Sequence, residues 1–316
     1  MFIRVIKKNS IKSIMSENQV LQSIRHPFII NMDYAFQDKE NLYLIIKHCQ
    51  GGDLRFHLIQ KRTFTEEQTK FFVACLILSL EYLQRKNIIH RDLKPENFVL
   101  DSRGYLFLTD FGIAKYWRSQ NSENTSGTPG YMSPEVLCHK NHSFSADYYA
   151  LGIFVHECAS GKRPHVGKNR KEIADQVMAR QAVLKQSMVI GRWSDEAIDF
   201  CNGLIQRKRD RRLGEAGIHQ LKNHPWFKDY DWCALIEQRV IPDFAPDLLT
   251  NNFDKKNIMK PEEMFEPQDL AMLKNPEVQN LFKDYNFNAE KVFTFEKTGT
   301  KKDSLDTLQF KSTNTS

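Results

Sequence analysis

The sequence predicts an α+β fold in two lobes, with a small strand-containing lobe first and a larger, mostly helical lobe after it. Two short apolar strings of strand length, at residues 2–6 and 42–46, flank an amphipathic segment at residues 11–24. A Gln-Gly-Gly-Asp turn at residues 50–53 follows, and beyond it the apolar spacing becomes helical. These observations place a lobe boundary near residue 50.

The helical lobe is predicted from its own local signals. The Thr-Glu-Glu-Gln sequence at residues 65–68 is a capping box, and apolar residues recur at helical spacing after it, with apolar neighbours on most sides. This pattern predicts a buried helix. Residues 148–158 and 195–205 also have helical spacing, whereas residues 105–108 form a strand-like string.

Composition indicates a globular chain. The 316 residues are 41% hydrophobic with a net charge of +6, which is enough to bury a full core. The basic runs at residues 162–171 and 207–212 are typical of solvated faces, so we expect no nucleic-acid partner.

The six cysteines lie far apart without a Cys-x-x-Cys pair, which indicates free thiols in a reducing compartment. The longest apolar stretch, at residues 71–80, is about half of a membrane span, and the first residues lack the apolar core of a signal peptide. We therefore expect a soluble cytoplasmic protein without a membrane span.

Three motifs occur in a fixed order. His-Arg-Asp-Leu-Lys-Pro-Glu-Asn at residues 90–97 precedes Asp-Phe-Gly at 110–112 and Gly-Thr-Pro-Gly-Tyr-Met-Ser-Pro-Glu at 127–135. A lone Asp-Phe-Gly is more typical of a turn than of a metal site, but the ordered set is specific.

These residue types fit phosphoryl transfer from ATP, which depends on positioning and charge neutralisation. One carboxylate must accept or orient the proton of the substrate hydroxyl, and Asp92 fits this role. A second carboxylate and a side-chain amide, Asp110 and Asn97, fit as oxygen ligands of Mg²⁺. Lys94 would place a positive charge near the transferred group. The expected catalytic residues are Asp92, Lys94, Asn97 and Asp110, with Asn97 and Asp110 as metal ligands.

With these motifs, most of the chain resembles the AGC group of serine/threonine protein kinases, and in particular its cyclic-nucleotide-dependent and YANK-type members. The resemblance implies the two-lobed protein kinase fold, with a small antiparallel β N-lobe that is incomplete here. It also implies ATP and Mg²⁺ as cofactors and transfer of the ATP γ-phosphate to Ser or Thr of protein substrates.

The resemblance assigns nucleotide-contacting positions. Arg4 stands at the ATP-lysine position, Glu17 matches the helix-C glutamate, and Ile46 stands where the gatekeeper sits. The hinge whose backbone meets adenine would run from Lys47 to Cys49. The full set implied to bind the cofactor is Arg4, Glu17, Lys47, Cys49, Asp53, Asn97 and Asp110.

Other positions carry structural or specificity roles in the family. Glu135 and Arg212 match a buried ion pair, and Asp147 resembles the aspartate that holds the catalytic loop from behind. Lys94 and Thr128 match the serine/threonine pattern.

Three acidic residues, Asp53, Glu96 and Asp175, fall where basophilic AGC kinases bind arginines that precede the acceptor. The resemblance therefore implies protein substrates with basic residues before the acceptor. Each acid taken singly is also typical of an exposed charge.

The chain departs from the family at its start. A complete kinase has two earlier strands and a Gly-x-Gly-x-x-Gly loop, and none of the 14 glycines supplies this loop. Arg4 is not a neutral replacement for lysine, because its planar fork needs more space. Either the upstream segment of an active kinase is missing from this translation, or the chain is a short, catalytically impaired binding module or scaffold. The intact motif carboxylates favour the first, and we expect little phosphotransfer from residues 1–316 alone.

The activation loop and the tail show further departures. Asn124 aligns with the usual activating phosphothreonine, so either the loop is ordered without phosphate or Thr125 or Ser126 replaces it, read by Arg91 and Lys115. In the tail, residues 251–254 resemble a segment that passes near the nucleotide. Residues 282–287 resemble the AGC hydrophobic motif, or are an incidental aromatic cluster.

The expected domains are a partial N-lobe at residues 1–49, a C-lobe at 50–227, a tail at 228–300 and a disordered end at 301–316. The sequence leaves the physiological substrate, the upstream activator and the oligomeric state open.

Overall fold

The computed structural model describes residues 11–38, 41–123, 125–249 and 280–292. The predicted strand at residues 2–6, Arg4, Asn124 and the tail segment at 251–254 lie outside the described residues.

Within these ranges the strands are β1 (Met32–Gln37), β2 (Leu42–Ile46), β3 (Gly52–Asp53), β4 (Ile88–Ile89), β5 (Phe98–Leu100), β6 (Leu106–Leu108), β7 (Lys115–Tyr116) and β8 (Phe287–Asn288). The α-helices are α1 (Ile11–Ser23), α2 (Leu54–Lys61), α3 (Glu66–Arg85), α4 (Pro134–Leu137), α5 (Ser145–Ser160), α6 (Arg170–Ala179), α7 (Asp195–Leu204), α8 (His219–Lys222), α9 (Trp232–Ile236) and α10 (Ala289–Val292).

The small lobe combines helix α1 with an antiparallel sheet. The strand order is β2-β1-β8, so the central strand pairs on one side with its chain neighbour and on the other with a strand from the tail. Helix α1 and strand β2 agree with the sequence prediction. The small antiparallel lobe is therefore confirmed, and its third described strand comes from the far end of the chain.

The larger lobe is built around two buried helices. Helix α3 is capped by Thr65, whose side chain accepts the backbone N–H of Gln68 in the predicted capping box, and the helix packs against α5. Every residue of α5 is buried, because the helix is surrounded by other helices of the lobe. The predicted helical lobe is confirmed, and α5 carries Asp147 in its first turn.

Two further short sheets hold the motif segments. Strand β5 pairs with β3 and β6 in one sheet, and β4 pairs with β7 in the other, all antiparallel. The chain between β4 and β5 contains the motif at residues 90–97, and the chain after β6 contains Asp-Phe-Gly at 110–112. Because the start of β5 pairs with the end of β6, the two motifs lie at the same end of this sheet.

All six cysteines are free thiols, as predicted. No helix within the described ranges combines the length and apolar character needed to cross a bilayer.

Candidate active site

The catalytic-loop motif is held from behind by Asp147. Its carboxylate accepts the backbone N–H of His90 at 2.9 Å and that of Arg91 at 2.8 Å. Arg91 has a φ of 70°, a left-handed conformation that surrounding contacts must maintain. The sequence predicted this role for Asp147, and the two hydrogen bonds agree with it.

His90 is fully buried and neutral. Burial lowers its pKa, although the carboxylate of Asp147 acts in the opposite direction. Its Nδ1 atom accepts the backbone N–H of Asp92 at 3.3 Å, and its Nε2 atom lies 3.1 Å from the carbonyl oxygen of Thr109. The imidazole thus connects the catalytic loop to Thr109, the residue between strand β6 and Asp-Phe-Gly.

Asp92 is the centre of a hydrogen-bonded cluster. Its Oδ1 atom accepts the Thr128 hydroxyl at 2.7 Å and the Thr128 backbone N–H at 3.1 Å. Its Oδ2 atom lies 2.7 Å from Lys94 Nζ and accepts Asn97 Nδ2 at 3.1 Å. Burial would raise the pKa of Asp92, but the hydrogen bonds from Lys94 and Thr128 and the charge of Lys94 lower it. The carboxylate is therefore ionised at neutral pH.

Asn97 directs its amide oxygen away from Asp92. Both hydrogen bonds of Nδ2 go to Asp92, one to the carbonyl oxygen at 2.8 Å and one to the carboxylate. The Nδ2 atom of a primary amide has two hydrogens and Oδ1 is the acceptor, so Oδ1 is the atom that can ligate a metal ion. The side chain is buried and its orientation is fixed by these bonds.

Asp110 and Glu17 border the same small space. Asp110 has a φ of 64°, and its Oδ1 atom accepts the Gly112 N–H at 3.1 Å. A Cβ atom added at Gly112 would lie 3.1 Å from that oxygen and 3.8 Å from Glu17 Oε2. Burial and the charge of Asp110 raise the pKa of Glu17 to about 7. Two carboxylates gathered at one place suit a cation or a cation-bearing ligand.

The side chains of the predicted hinge have different surroundings. The ammonium of Lys47 lies 3.6 Å from the ring centroid of Phe107. Cys49 is buried, and burial raises its pKa to about 11. Lys47 and Ile46 are exposed, so of the three only Cys49 belongs to the core.

The three acids expected to bind substrate arginines have different surroundings. Asp53 is buried as the N-cap of α2, where its carboxylate accepts the Phe56 N–H at 2.8 Å. Glu96 is paired with Arg55 at 3.0 Å. Asp175 lies exposed on α6. Only Asp175 stays accessible without displacing another contact.

The activation segment brings basic groups together. Arg91 Nε donates to the Ile113 carbonyl oxygen at 2.8 Å. Burial lowers the pKa of Lys115, and the charges of Arg91 and Arg118 lower it further, so the three cations lie near one another. Arg170 donates to the Thr125 carbonyl oxygen at 2.8 Å. That Thr125 or Ser126 takes the place of the activating phosphothreonine remains a prediction.

The predicted buried ion pair is present. Arg212 donates from Nη1 and Nη2 to the two oxygens of Glu135 at 2.6 and 2.9 Å. Arg212 Nη1 also donates to the Ser145 carbonyl oxygen at 3.0 Å, which anchors the pair to the start of α5. This contact is structural.

The tail aromatics belong to the same hydrophobic core as the apolar residues of helix α1. Phe282, Tyr285 and Phe287 are buried, and the Tyr285 carbonyl oxygen accepts Asn18 Nδ2 at 2.7 Å. Asn18 is the neighbour of Glu17 in the chain. This packing favours the hydrophobic-motif interpretation over an incidental cluster.

Sequence reasoning missed the partner of Glu96. Arg55 also donates from Nη1 to Glu157 Oε1 at 2.9 Å, across 102 positions of sequence. A signal was available, because a cation in the first turn of a helix is unfavourable beside the helix dipole and calls for an acidic partner. No motif pointed to Glu157.

A sequence profile of the protein kinase domain matches residues 2–227. The chain therefore belongs to the protein kinase family, and the predicted two-lobed protein kinase fold is confirmed.

Similar curated proteins are AGC-like serine/threonine kinases. The chain is 37% identical over 268 residues to a probable serine/threonine-protein kinase of Dictyostelium discoideum, covering 81% of this chain and 58% of that protein. It is 36% identical over 272 residues to serine/threonine-protein kinase sgk-1 of Caenorhabditis elegans, covering 84% and 57%. It is 35% identical over 259 residues to AtPK1/AtPK6 of Arabidopsis thaliana, covering 79% and 54%. The chain thus spans somewhat more than half the length of these relatives.

Proposed function

We propose that this chain is a serine/threonine protein kinase that transfers the γ-phosphate of ATP to Ser or Thr of protein substrates. The observation that carries the proposal is the cluster in which Asp92 contacts Lys94, Asn97 and Thr128. An ionised carboxylate at its centre can accept or orient the proton of a substrate hydroxyl. The neighbouring ammonium can stabilise charge on the transferred group.

The residues around the cluster suit the cofactors proposed for it. Asn97 offers its amide oxygen and Asp110 its carboxylate, and Mg²⁺ prefers such oxygen ligands together with phosphate oxygens. MgATP, when bound, supplies the phosphoryl group and neutralises part of its charge. Arg4, Glu17 and the backbone between Lys47 and Cys49 are proposed to complete the nucleotide site.

The subfamily, the domain limits and the location are proposals too. We propose that the chain belongs to the cyclic-nucleotide-dependent or YANK-type branch, with domain limits at 1–49, 50–227 and 228–300. We also propose a cytoplasmic location, which the six free thiols support. Of the three acids once expected to bind substrate arginines, Asp175 is the one that remains accessible.

Transfer of radiolabel from γ-labelled ATP to a mixed Ser/Thr peptide library tests the activity. We expect the weak labelling predicted for residues 1–316 to depend on Mg²⁺, and to be lost in Asp110→Asn at unchanged thermal stability. An exposed acid, Asp195→Asn, is the matched control and should label as the wild type does. Equal labelling by all three proteins would refute the proposal.

A further inference from the structure

Arg55 fills an acidic pocket beside the candidate active site. We define the acidic pocket as Glu96, Glu157 and Tyr131. Arg55 Nε donates to Glu96 at 3.0 Å, Nη1 and Nη2 donate to Glu157 at 2.9 and 3.2 Å, and Nη2 also donates to the Tyr131 hydroxyl. Four of the five N–H groups of the guanidinium are thereby used.

The acidic pocket is connected to Asp92 through short contacts. The backbone N–H of Tyr131 donates to the Thr128 carbonyl oxygen at 2.9 Å, and the Thr128 hydroxyl donates to Asp92. Glu96 lies in the turn between Lys94 and Asn97, which both contact Asp92. A peptide whose hydroxyl approached Asp92 would pass close to this pocket.

The pocket is built to hold a guanidinium. The Arg55 side chain is 16% exposed and that of Glu157 is 8% exposed, so water competes little for their hydrogen bonds. A planar guanidinium facing two carboxylates matches the geometry in which arginine binds carboxylates most strongly. A second cation, Arg163, lies 5.5 Å from the ring centroid of Tyr131. With Arg55 in place, an incoming arginine would meet like charge. It would also find both oxygens of Glu157 and one oxygen of Glu96 already bonded to Arg55, while the other Glu96 oxygen is buried.

We propose that Arg55 is a specificity-determining residue, which occupies from within the chain a pocket that would otherwise bind an arginine of the substrate. The chain therefore does not select for arginine at the position that faces this pocket. Removing the Arg55 side chain opens the pocket and creates that selection. The proposal rests on the proposed kinase function, because it concerns the substrate of the same site.

Peptide binding tests the proposal without requiring catalysis. Labelled peptides with one Ser acceptor and a single arginine or alanine at successive positions before it are titrated against the purified 316-residue chain by fluorescence anisotropy. We expect Arg55→Ala to favour arginine over alanine at one position by about tenfold, the size of one charge-assisted contact. The wild type should differ by less than about twofold there. Lys61→Ala, which removes an exposed cation from the same helix, should behave as the wild type.

Two further variants keep the test decisive. Arg55→Gln keeps a polar side chain and serves if Arg55→Ala does not fold. Glu96→Gln in the presence of Arg55 should leave the arginine-to-alanine ratio unchanged, because Glu96 is already paired. The proposal is overturned if the wild type prefers arginine and Glu96→Gln abolishes that preference, or if a folded Arg55 variant gains none. If neither Arg55 variant folds, the Glu96→Gln comparison decides.

The readout separates this proposal from the kinase proposal. If radiolabel transfer is absent from every protein while Arg55→Ala gains arginine selectivity, the kinase activity fails and the pocket assignment stands. If transfer is present and the selectivity does not change, the pocket assignment fails alone.

Discussion

Asp92 and Glu135 are two carboxylates with the same exposure, 8%, and opposite surroundings. Both oxygens of Glu135 face one guanidinium, that of Arg212, whose side chain is fully buried. The oxygens of Asp92 are shared among a hydroxyl, an amide and an ammonium, and Lys94, which carries the ammonium, is 20% exposed. Exposure alone therefore does not distinguish a structural carboxylate from a candidate catalytic one.

The two carboxylates differ in how firmly their hydrogen-bond partners are held in place. Arg212 also bonds to the carbonyl oxygens of Ser145 and Gln206, so the guanidinium is fixed by backbone on two sides. Such a pair resists rearrangement. The partners of Asp92 belong to a short turn and to the activation segment, and a substrate hydroxyl can replace the Thr128 hydroxyl without leaving a buried charge unpaired.

The largest expected effect follows from Asp92→Asn. The variant keeps the shape of the side chain but removes the negative charge that orients a substrate hydroxyl, so we expect phosphotransfer to fall by about 10²–10⁴-fold. Thermal stability should fall by less than in a variant of Glu135, because Lys94, which loses its partner, is 20% exposed. The measurement is single-turnover radiolabel transfer beside a melting curve, and an active Asp92→Asn protein would contradict the assignment.

Glu135→Gln should act mainly on stability, whereas Asp92→Asn acts mainly on phosphotransfer. Loss of the charge leaves Arg212 buried and uncompensated, which we expect to lower the free energy of unfolding by about 3–5 kcal/mol. Urea unfolding measures this change. The matched control is Glu237→Gln, which breaks the exposed pair with Arg239 and should cost less than about 1 kcal/mol. Similar losses in both variants would mean that the buried pair has no special role.

Whether the sequence could predict a contact of the fold or of the candidate site depends on how far apart the two contacting residues lie in the chain. Asp92, Lys94 and Asn97 lie within one turn, so the local motif was enough to predict that they contact one another. The ion pair of Glu135 with Arg212 was predicted from the family resemblance. Short-range geometry and a known pattern were sufficient in these cases.

Other contacts could not be predicted. Arg55 and Glu157 lie on different helices with no shared motif, and only the packing of α2 near α5 brings them together. Strand β8 has two residues, too few for an alternating pattern to reveal that it pairs with Tyr34 and Ala35.

Truncation of the Thr128 hydroxyl tests the Asp92 cluster more finely. Thr128→Val keeps the shape and the backbone N–H but removes a hydrogen bond that lowers the pKa of Asp92. We expect a loss of phosphotransfer of about tenfold at neutral pH, and an acidic limb of the pH–rate profile that moves to higher pH. Thr128→Ser retains the hydroxyl and should stay near the wild type. An unshifted limb in Thr128→Val would show that the hydroxyl does not act on Asp92.

The smallest expected effect is the pH dependence of the Glu135 contribution. Burial raises the pKa of Glu135, but the hydrogen bonds and charge of Arg212 outweigh it and hold the pKa below its usual value near 4.5. A folded-state pKa below the unfolded one means that the stabilisation is fully present above about pH 4.5 and is lost as the pH falls through the folded-state value. The gap in unfolding free energy between the wild type and Glu135→Gln should therefore be constant from pH 5 upward and narrow toward pH 3, by about 1 kcal/mol or more. Urea unfolding of both proteins across this range measures the gap. A gap that widens on acidification would show that the charge of Glu135 opposes folding, and would remove the basis on which Glu135 is contrasted with Asp92.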